Sequence, residues 1–216
     1  MPPDGRTLVI ACGALANELV ALRARPGLDH LDLACLPAAL HDRPERIPDA
    51  VRRRIQAGRA THERIFVAYA DCGTGGLLDR VLREEGVERL PGAHCYQVFA
   101  GEAAFDRLMA DEPATFFLTD FLARNFERLV VRGLGLERHP ELETVYFGGY
   151  RRLVYLAQTE DADLRRLAQG AADRLGLTFE LRLTGYGGLA AALEALAGVA
   201  DVTALRAAPP AATGAA

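Results

Sequence analysis

The chain reads as an α/β protein, a three-layer sandwich built on a mostly parallel sheet. Three observations predict this. Short apolar runs alternate with longer stretches whose apolar residues recur at helical spacing. Gly and Pro mark most of the junctions between them. Two of the runs, Leu8-Val9-Ile10-Ala11-Cys12-Gly13 and Arg64-Ile65-Phe66-Val67-Ala68-Tyr69-Ala70-Asp71-Cys72-Gly73, end in a Cys-Gly corner before a helical stretch. In an open parallel sheet, such corners lie at the carboxyl ends of the strands, where ligands bind.

In chain order, Thr7 to Ala11 predicts a strand and Ala14 to Arg25 a helix, with Leu15, Leu19 and Leu22 at helical spacing and Pro26-Gly27 as its stop. Leu31 to Leu36 predicts a second strand. Pro37 to Arg43 is a loop or short turn carrying His41, and Pro44 suits the first turn of a helix reaching about Gly58. The strand from Arg64 to Ala70 follows, then a helix from Gly76 to Glu85 stopped by Gly86. After the Pro91-Gly92 turn, Cys95 opens an apolar run to Ala100 that reads as a fourth strand closing on Gly101. The resulting β-α-β-α-β-α-β order predicts right-handed crossovers.

A short helix from Glu102 to Met109 comes next. Thr115 to Gly133 then reads as a longer helix, since Phe117, Phe121, Leu122, Phe126 and Leu129 recur at steps that make one stripe. His139-Pro140 is loop-like. Arg152 to Ala157 predicts a strand, Asp161 to Gly176 a helix, Thr178 to Leu183 a strand and Gly187 to Ala197 a helix. The 216 residues, half hydrophobic and a quarter charged, suit one domain over residues 1–205. Within it, 151–205 extends the sheet or forms a sub-lobe. Residues 206–216 are a low-complexity tail expected to be disordered.

Composition closes several mechanisms. The chain has neither Lys nor Ser, and all 25 cationic residues are Arg. Lysine Schiff bases, the P-loop lysine and serine nucleophiles are therefore excluded. A net charge of −4 without a basic stripe argues against nucleic acid. No apolar run approaches a membrane span and no signal peptide is visible, which predicts a cytoplasmic protein whose four cysteines stay reduced or bind metal.

The cysteines carry the functional expectation. A thiolate at a helix N-terminus is stabilised by free N–H groups, so Cys12 and Cys72 are expected to have lowered pKa values. Cys12, Cys72 and Cys95 with a histidine would form a zinc site; the bland alternative is that they fill core space, the use assigned to Cys35 between Ala34 and Leu36. His41, past the second strand, is preferred as fourth ligand over His94, because His94 and Cys95 would point to opposite faces of a strand. His30, His62 and His139 look like surface positions. Gly13, Gly73 and Gly101 are candidate cofactor-contacting glycines. Gly73-Thr74-Gly75-Gly76 is an anion cradle or a tight turn, and Gly185-Tyr186-Gly187-Gly188 a similar turn. Asp120, Arg124 and Glu127 share a helix face as a polar lining or a solvated surface, with Asp120 and Arg124 the catalytic candidates. Tyr69 lines the pocket or packs in the core.

Taken in order, Ala11-Cys12-Gly13 with Glu18-Leu19, Leu40-His41-Asp42-Arg43-Pro44, Tyr69-Ala70-Asp71-Cys72-Gly73, His94-Cys95 before Gly101, and Leu118-Thr119-Asp120-Phe121 resemble the domain-of-unknown-function family 1638. The resemblance covers roughly residues 7 to 190. It departs from the family pattern at Ala70, where the family has Gly, at His94, where it has Asp, and at Asp120-Phe121, where it has Gly-Trp. It implies a role beside corrinoid-dependent methyltransferases and one-carbon enzymes. The expectation is a metal-binding enzyme or accessory protein of corrinoid-linked methyl-group metabolism, with zinc held by Cys12, His41, Cys72 and Cys95 and a small-molecule substrate or corrinoid protein as partner. The alternatives are an iron–sulfur cluster or bound corrinoid in place of zinc, a metal-free binding or chaperone module, and thiol catalysis by one cysteine.

Overall fold

The computed structural model describes residues 5–198. The expected tail at 206–216 lies outside the described residues. The chain divides into two compact units, one running to Ala93 and resuming at Gly188, the other His94–Gly187. Each unit has its own parallel sheet, so the strands after residue 114 form a second sheet instead of extending the first. Among the described residues no helix is long and apolar enough to cross a membrane.

In unit 1 the strands β1 (Thr7–Cys12), β2 (Leu31–Leu36), β3 (Arg64–Ala68) and β4 (Glu88–Arg89) stand in the order β2-β1-β3-β4, all parallel. β1 is buried along its whole length because it has neighbours on both edges and helices on both faces. The chain steps from β1 to β2 in one direction, then crosses back over β1 to β3. Right-handed crossovers therefore set α1 (Ala16–Arg23) on one face and α2 (Ile47–Gly58) and α3 (Leu77–Glu85) on the other. α2 packs on β1, β3 and α3 through Val51 and Ile55, both fully buried. The Gly188–Leu196 part of α9 (Gly187–Leu196) is tied to the α1 side by the Arg25–Glu194 ion pair at 3.1 Å. These are the three layers.

Unit 2 holds β5 (Thr115–Leu118), β6 (Arg152–Ala157) and β7 (Thr178–Leu183) in sequential, parallel order. Residues of β6 alternate between two cores. Leu153, Tyr155 and Ala157 face α6 (Asp120–Phe126) and α8 (Ala162–Leu175). Val154 and Leu156 face Tyr96, Phe105 and Leu108, from α4 (Cys95–Ala100) and α5 (Glu102–Asp111).

The structure departs from the sequence expectations in two places. Cys95 to Ala100 is the helix α4, and the fourth strand is instead the two residues Glu88–Arg89. The run has only one β-branched residue, Val98, and is too short for periodicity to separate strand from helix. Likewise Thr115 to Gly133 is not one helix. Its first four residues, Thr-Phe-Phe-Leu, are β5, as β-branched and aromatic residues favour, and Thr119 then caps α6 by accepting from the Leu122 N–H. The following Glu127–Arg132 segment is a π-helical turn. A further helix, α7 (Glu141–Phe147), follows the loop-like His139-Pro140.

Candidate functional site

The reversal in strand order places a switch point between β1 and β3 of unit 1. A crevice opens outside the carboxyl ends of these strands because their crossovers leave on opposite faces. Cys12 ends β1 there, and Tyr69 to Cys72 follow β3.

Cys12 caps the short 3₁₀ turn Gly13–Leu15, its sulfur accepting from the Ala14 N–H at 3.2 Å. Its side chain is buried, and burial pushes the thiol up to about 12 against the opposing Ala14 hydrogen bond; the charge of Cys72 adds to the rise. The expected depression at this corner is thus reversed, since desolvation outweighs one N–H and a one-turn helix. Gly13 is required by close packing. A Cβ there would sit 2.8 Å from the Leu36 carbonyl and 3.2 Å from the Ala38 nitrogen. The chain leaving β2 therefore passes directly over Gly13, and that path delivers His41.

His41 lies on the 3₁₀ turn Ala38–Asp42. Its Nδ1 is 3.1 Å from the Ala38 carbonyl oxygen and 3.7 Å from the Cys12 sulfur. The carbonyl fixes a proton on Nδ1 when the ring is neutral, which leaves Nε2 with a free lone pair. The ring stacks on Tyr69, centroids 6.2 Å apart and planes 13° from parallel. Tyr69 itself is 1 % exposed, and its hydroxyl has no hydrogen-bond partner among the described residues. Burial, with the charges of Cys12 and Cys72, pushes its pKa far up.

Cys72 occupies the facing corner. It is the one non-glycine residue with positive φ among the described residues, at 51°. Its N–H donates to the Ala93 carbonyl at 2.8 Å, beside an Asp71 N–H to Gly92 bond at 3.1 Å. The loop that follows is stapled from within. The Asp71 carboxylate accepts from the Thr74 hydroxyl at 2.6 Å and from the Gly75 and Gly76 amides at 3.1 and 2.9 Å. Burial works to raise Asp71, yet these donors and the Arg89 charge hold it below the usual carboxylate range. The glycine loop is therefore a tight turn around its own carboxylate, which takes the Gly75 and Gly76 amides that could cradle an outside anion. Gly73 abuts Pro44, whose ring lies 3.6 Å from where a Cβ would stand. The segment carrying His41 thus meets both cysteine corners.

Of the residues singled out from sequence, Cys12, His41 and Cys72 lie in this unit, around one sheet edge. Cys95 opens α4 in unit 2, preceded by His94 in extended backbone, and Gly101 caps α5 there with open space around it. Among the described residues, no group of three or more His, Cys, Asp or Glu side chains is already assembled to hold a metal ion. Cys35 is exposed on β2, and its register partner is Ala11, on the sheet face opposite Cys12.

Asp120, Arg124 and Glu127 do not share an open face. Asp120 is 2 % exposed, while Arg124 and Glu127 face solvent. The Asp120 carboxylate accepts from the Tyr155 hydroxyl at 2.7 Å, the Gln158 N–H at 2.9 Å and the Thr159 hydroxyl at 2.6 Å. It ties the end of β5 to the end of β6. His62, read as a surface residue, is mostly buried: its Nε2 lies 3.2 Å from Asp32, which Arg6 also grips. A cavity of about 640 Å³ opens nearby at the amino end of β3, lined by Arg59, His62, Arg64 and Glu88, and none of the cysteines lines it. Sequence reasoning missed the Asp71 staple and the Pro44–Gly73 contact. Asp71 followed by Thr74-Gly75-Gly76 was a signal for the former, because Asp side chains bond amides just downstream; the latter joins segments distant in sequence.

No curated protein and no solved structure matches the chain. A family model matches residues 35–193, a span that contains His41, Cys72, Cys95 and Asp120 and begins after Cys12. The chain belongs to the family described as Protein of unknown function (DUF1638).

Proposed function

We propose that the switch point of unit 1 binds a thiophilic metal ion, zinc by preference, through Cys12 and His41, with Cys72 closing from the facing corner. The observation that carries this is the 3.7 Å separation of the Cys12 sulfur and a His41 nitrogen. Zinc–sulfur and zinc–nitrogen bonds of about 2.3 and 2.0–2.1 Å at a tetrahedral angle put two such ligands about 3.6 Å apart. His41 can ligate through Nδ1 by giving up its Ala38 contact, or through Nε2 after a ring turn. Among the described residues no three-residue cluster stands ready, so the third ligand would come from Cys72 closing in. Zinc would supply the positive charge that converts a buried thiol into a thiolate. The same burial argues against Cys12 as a free nucleophile near neutral pH.

The proposal extends to an enzyme or accessory role in corrinoid-linked methyl-group metabolism. That part rests on the family resemblance and on the capacity of thiolate–zinc sites to activate thiols for methyl transfer. A metal-free binding module is the second reading, in keeping with a Cys12 thiol that burial holds neutral. Zinc titration of chelator-treated protein, with elemental analysis, separates the two. One tightly held ion per chain, lost in Cys12→Ala and Cys72→Ala and weakened in His41→Ala, is the expected result. An unmodified chain that retains no stoichiometric metal leaves the second reading.

A further inference from the structure

Tyr69 is a buried residue with an unsatisfied donor. The β1–β3 register ends at the Ala11–Ala68 pair, and the next residues along the two segments are Cys12 and Tyr69. Its ring is held by the stack on His41, and its hydroxyl meets no hydrogen-bonding partner among the described residues. A buried hydroxyl without a partner is costly, so native structures seldom leave one. Its polar neighbour is the Cys12 thiol. The two fall short of a completed hydrogen bond here. A neutral thiol is a weak acceptor, whereas a thiolate accepts a charge-assisted bond.

We propose that Tyr69 is a positioning residue of the metal site, donating its hydroxyl hydrogen to the Cys12 sulfur when that sulfur is bound to the metal as thiolate. This rests on the metal reading of the same edge. Metal binding would create the acceptor that completes the hydroxyl, and outer partners of this kind set ligand orientation and metal affinity.

Cobalt(II) is the probe, titrated into chelator-treated wild-type and Tyr69→Phe protein, with the sulfur-to-cobalt charge-transfer band and the melting temperature of the metal-free protein recorded. The variant is expected to bind cobalt about 10–100-fold more weakly. Its band should move to lower energy, because the sulfur lone pairs lose a stabilising donor. The metal-free variant should melt no lower than wild type, since it loses an unsatisfied group and keeps the ring. Equal affinity with an unmoved band overturns the proposal. A wild type without any charge-transfer band overturns the metal reading and this inference with it. If Tyr69→Phe fails to fold, 3-fluorotyrosine at position 69, a stronger donor, decides: a band shifted to higher energy supports the role, and an unmoved band removes it.

Discussion

In unit 1 the chain leaves β1 and β3 toward opposite faces of the sheet, whereas in unit 2 β5, β6 and β7 follow one another without reversal. Both sheets are parallel and both are covered by helices, but their carboxyl ends differ. At the end of β5 and β6, Asp120 meets Tyr155, Gln158 and Thr159, and its carboxylate oxygens are taken by groups of the same unit. At the end of β1 and β3, a thiol is held neutral by burial, a hydroxyl has no partner and a cysteine sits in left-handed backbone. One edge has satisfied its own polar groups and the other has not. A crevice opens at the strand ends of a parallel sheet where the crossovers diverge; where they run in one direction, the same strand ends can be sewn together.

The largest effect expected from this contrast is on the sewn edge. Asp120→Ala leaves the Tyr155 and Thr159 hydroxyls and the Gln158 N–H without their buried acceptor, and should destabilise the chain by about 3 kcal/mol or more in denaturant unfolding. Metal content should not change. A loss below about 1 kcal/mol would mean the network is dispensable and the contrast between the edges is wrong. A smaller effect, of opposite sign, is expected at the open edge. Cys72→Gly removes the side chain from a residue at φ 51°, where only glycine is unstrained, and should stabilise the metal-free chain by about 1 kcal/mol while abolishing metal binding. Cys72→Ala keeps the strain and should not stabilise.

The smallest effect lies at the amino end of the first sheet. The Arg6 hydrogen bond, with His62 and the Arg6 charge adding to it, outweighs burial and holds Asp32 down to about 2. A carboxyl lowered on folding contributes stability above its unfolded pKa and loses it as pH falls through the folded value. Asp32→Asn should therefore lose less stability than wild type between about pH 4 and pH 2, and the two should respond alike above about pH 5. Parallel acid titrations across that whole range would remove the role given to this ion pair.

Much of this architecture was legible from residue order. Leu31–Leu36, Arg152–Ala157 and Thr178–Leu183 are strands over the bounds expected, because each is an apolar or alternating run bracketed by turn residues or helices. Gly86 and Gly176 stop their helices in left-handed backbone, as Gly after a last helical turn implies. The Cys95 segment is a helix where a strand is expected because a six-residue run with five apolar residues carries no decisive period, and β4 escapes because two residues make no pattern at all. At the site, Cys-Gly corners gave the correct sheet edge for Cys12 and Cys72, and His41 followed from its place after β2. The protonation of Cys12 was not legible: local helix geometry argues one way, and burial by distant residues decides the other. Asp120 shows the same limit. Its helical spacing suggested an open face, whereas its partners come from nearly forty residues downstream.

The segment from Leu36 to Pro44 rests on Gly13 at one end and against Gly73 at the other, with His41 between. It spans both thiol corners and so works as a gauge for the distance between them. Lengthening or shortening it by a single residue would leave both strands intact and still misplace the imidazole, so this stretch is where the spacing of the site would be retuned without touching a sulfur atom.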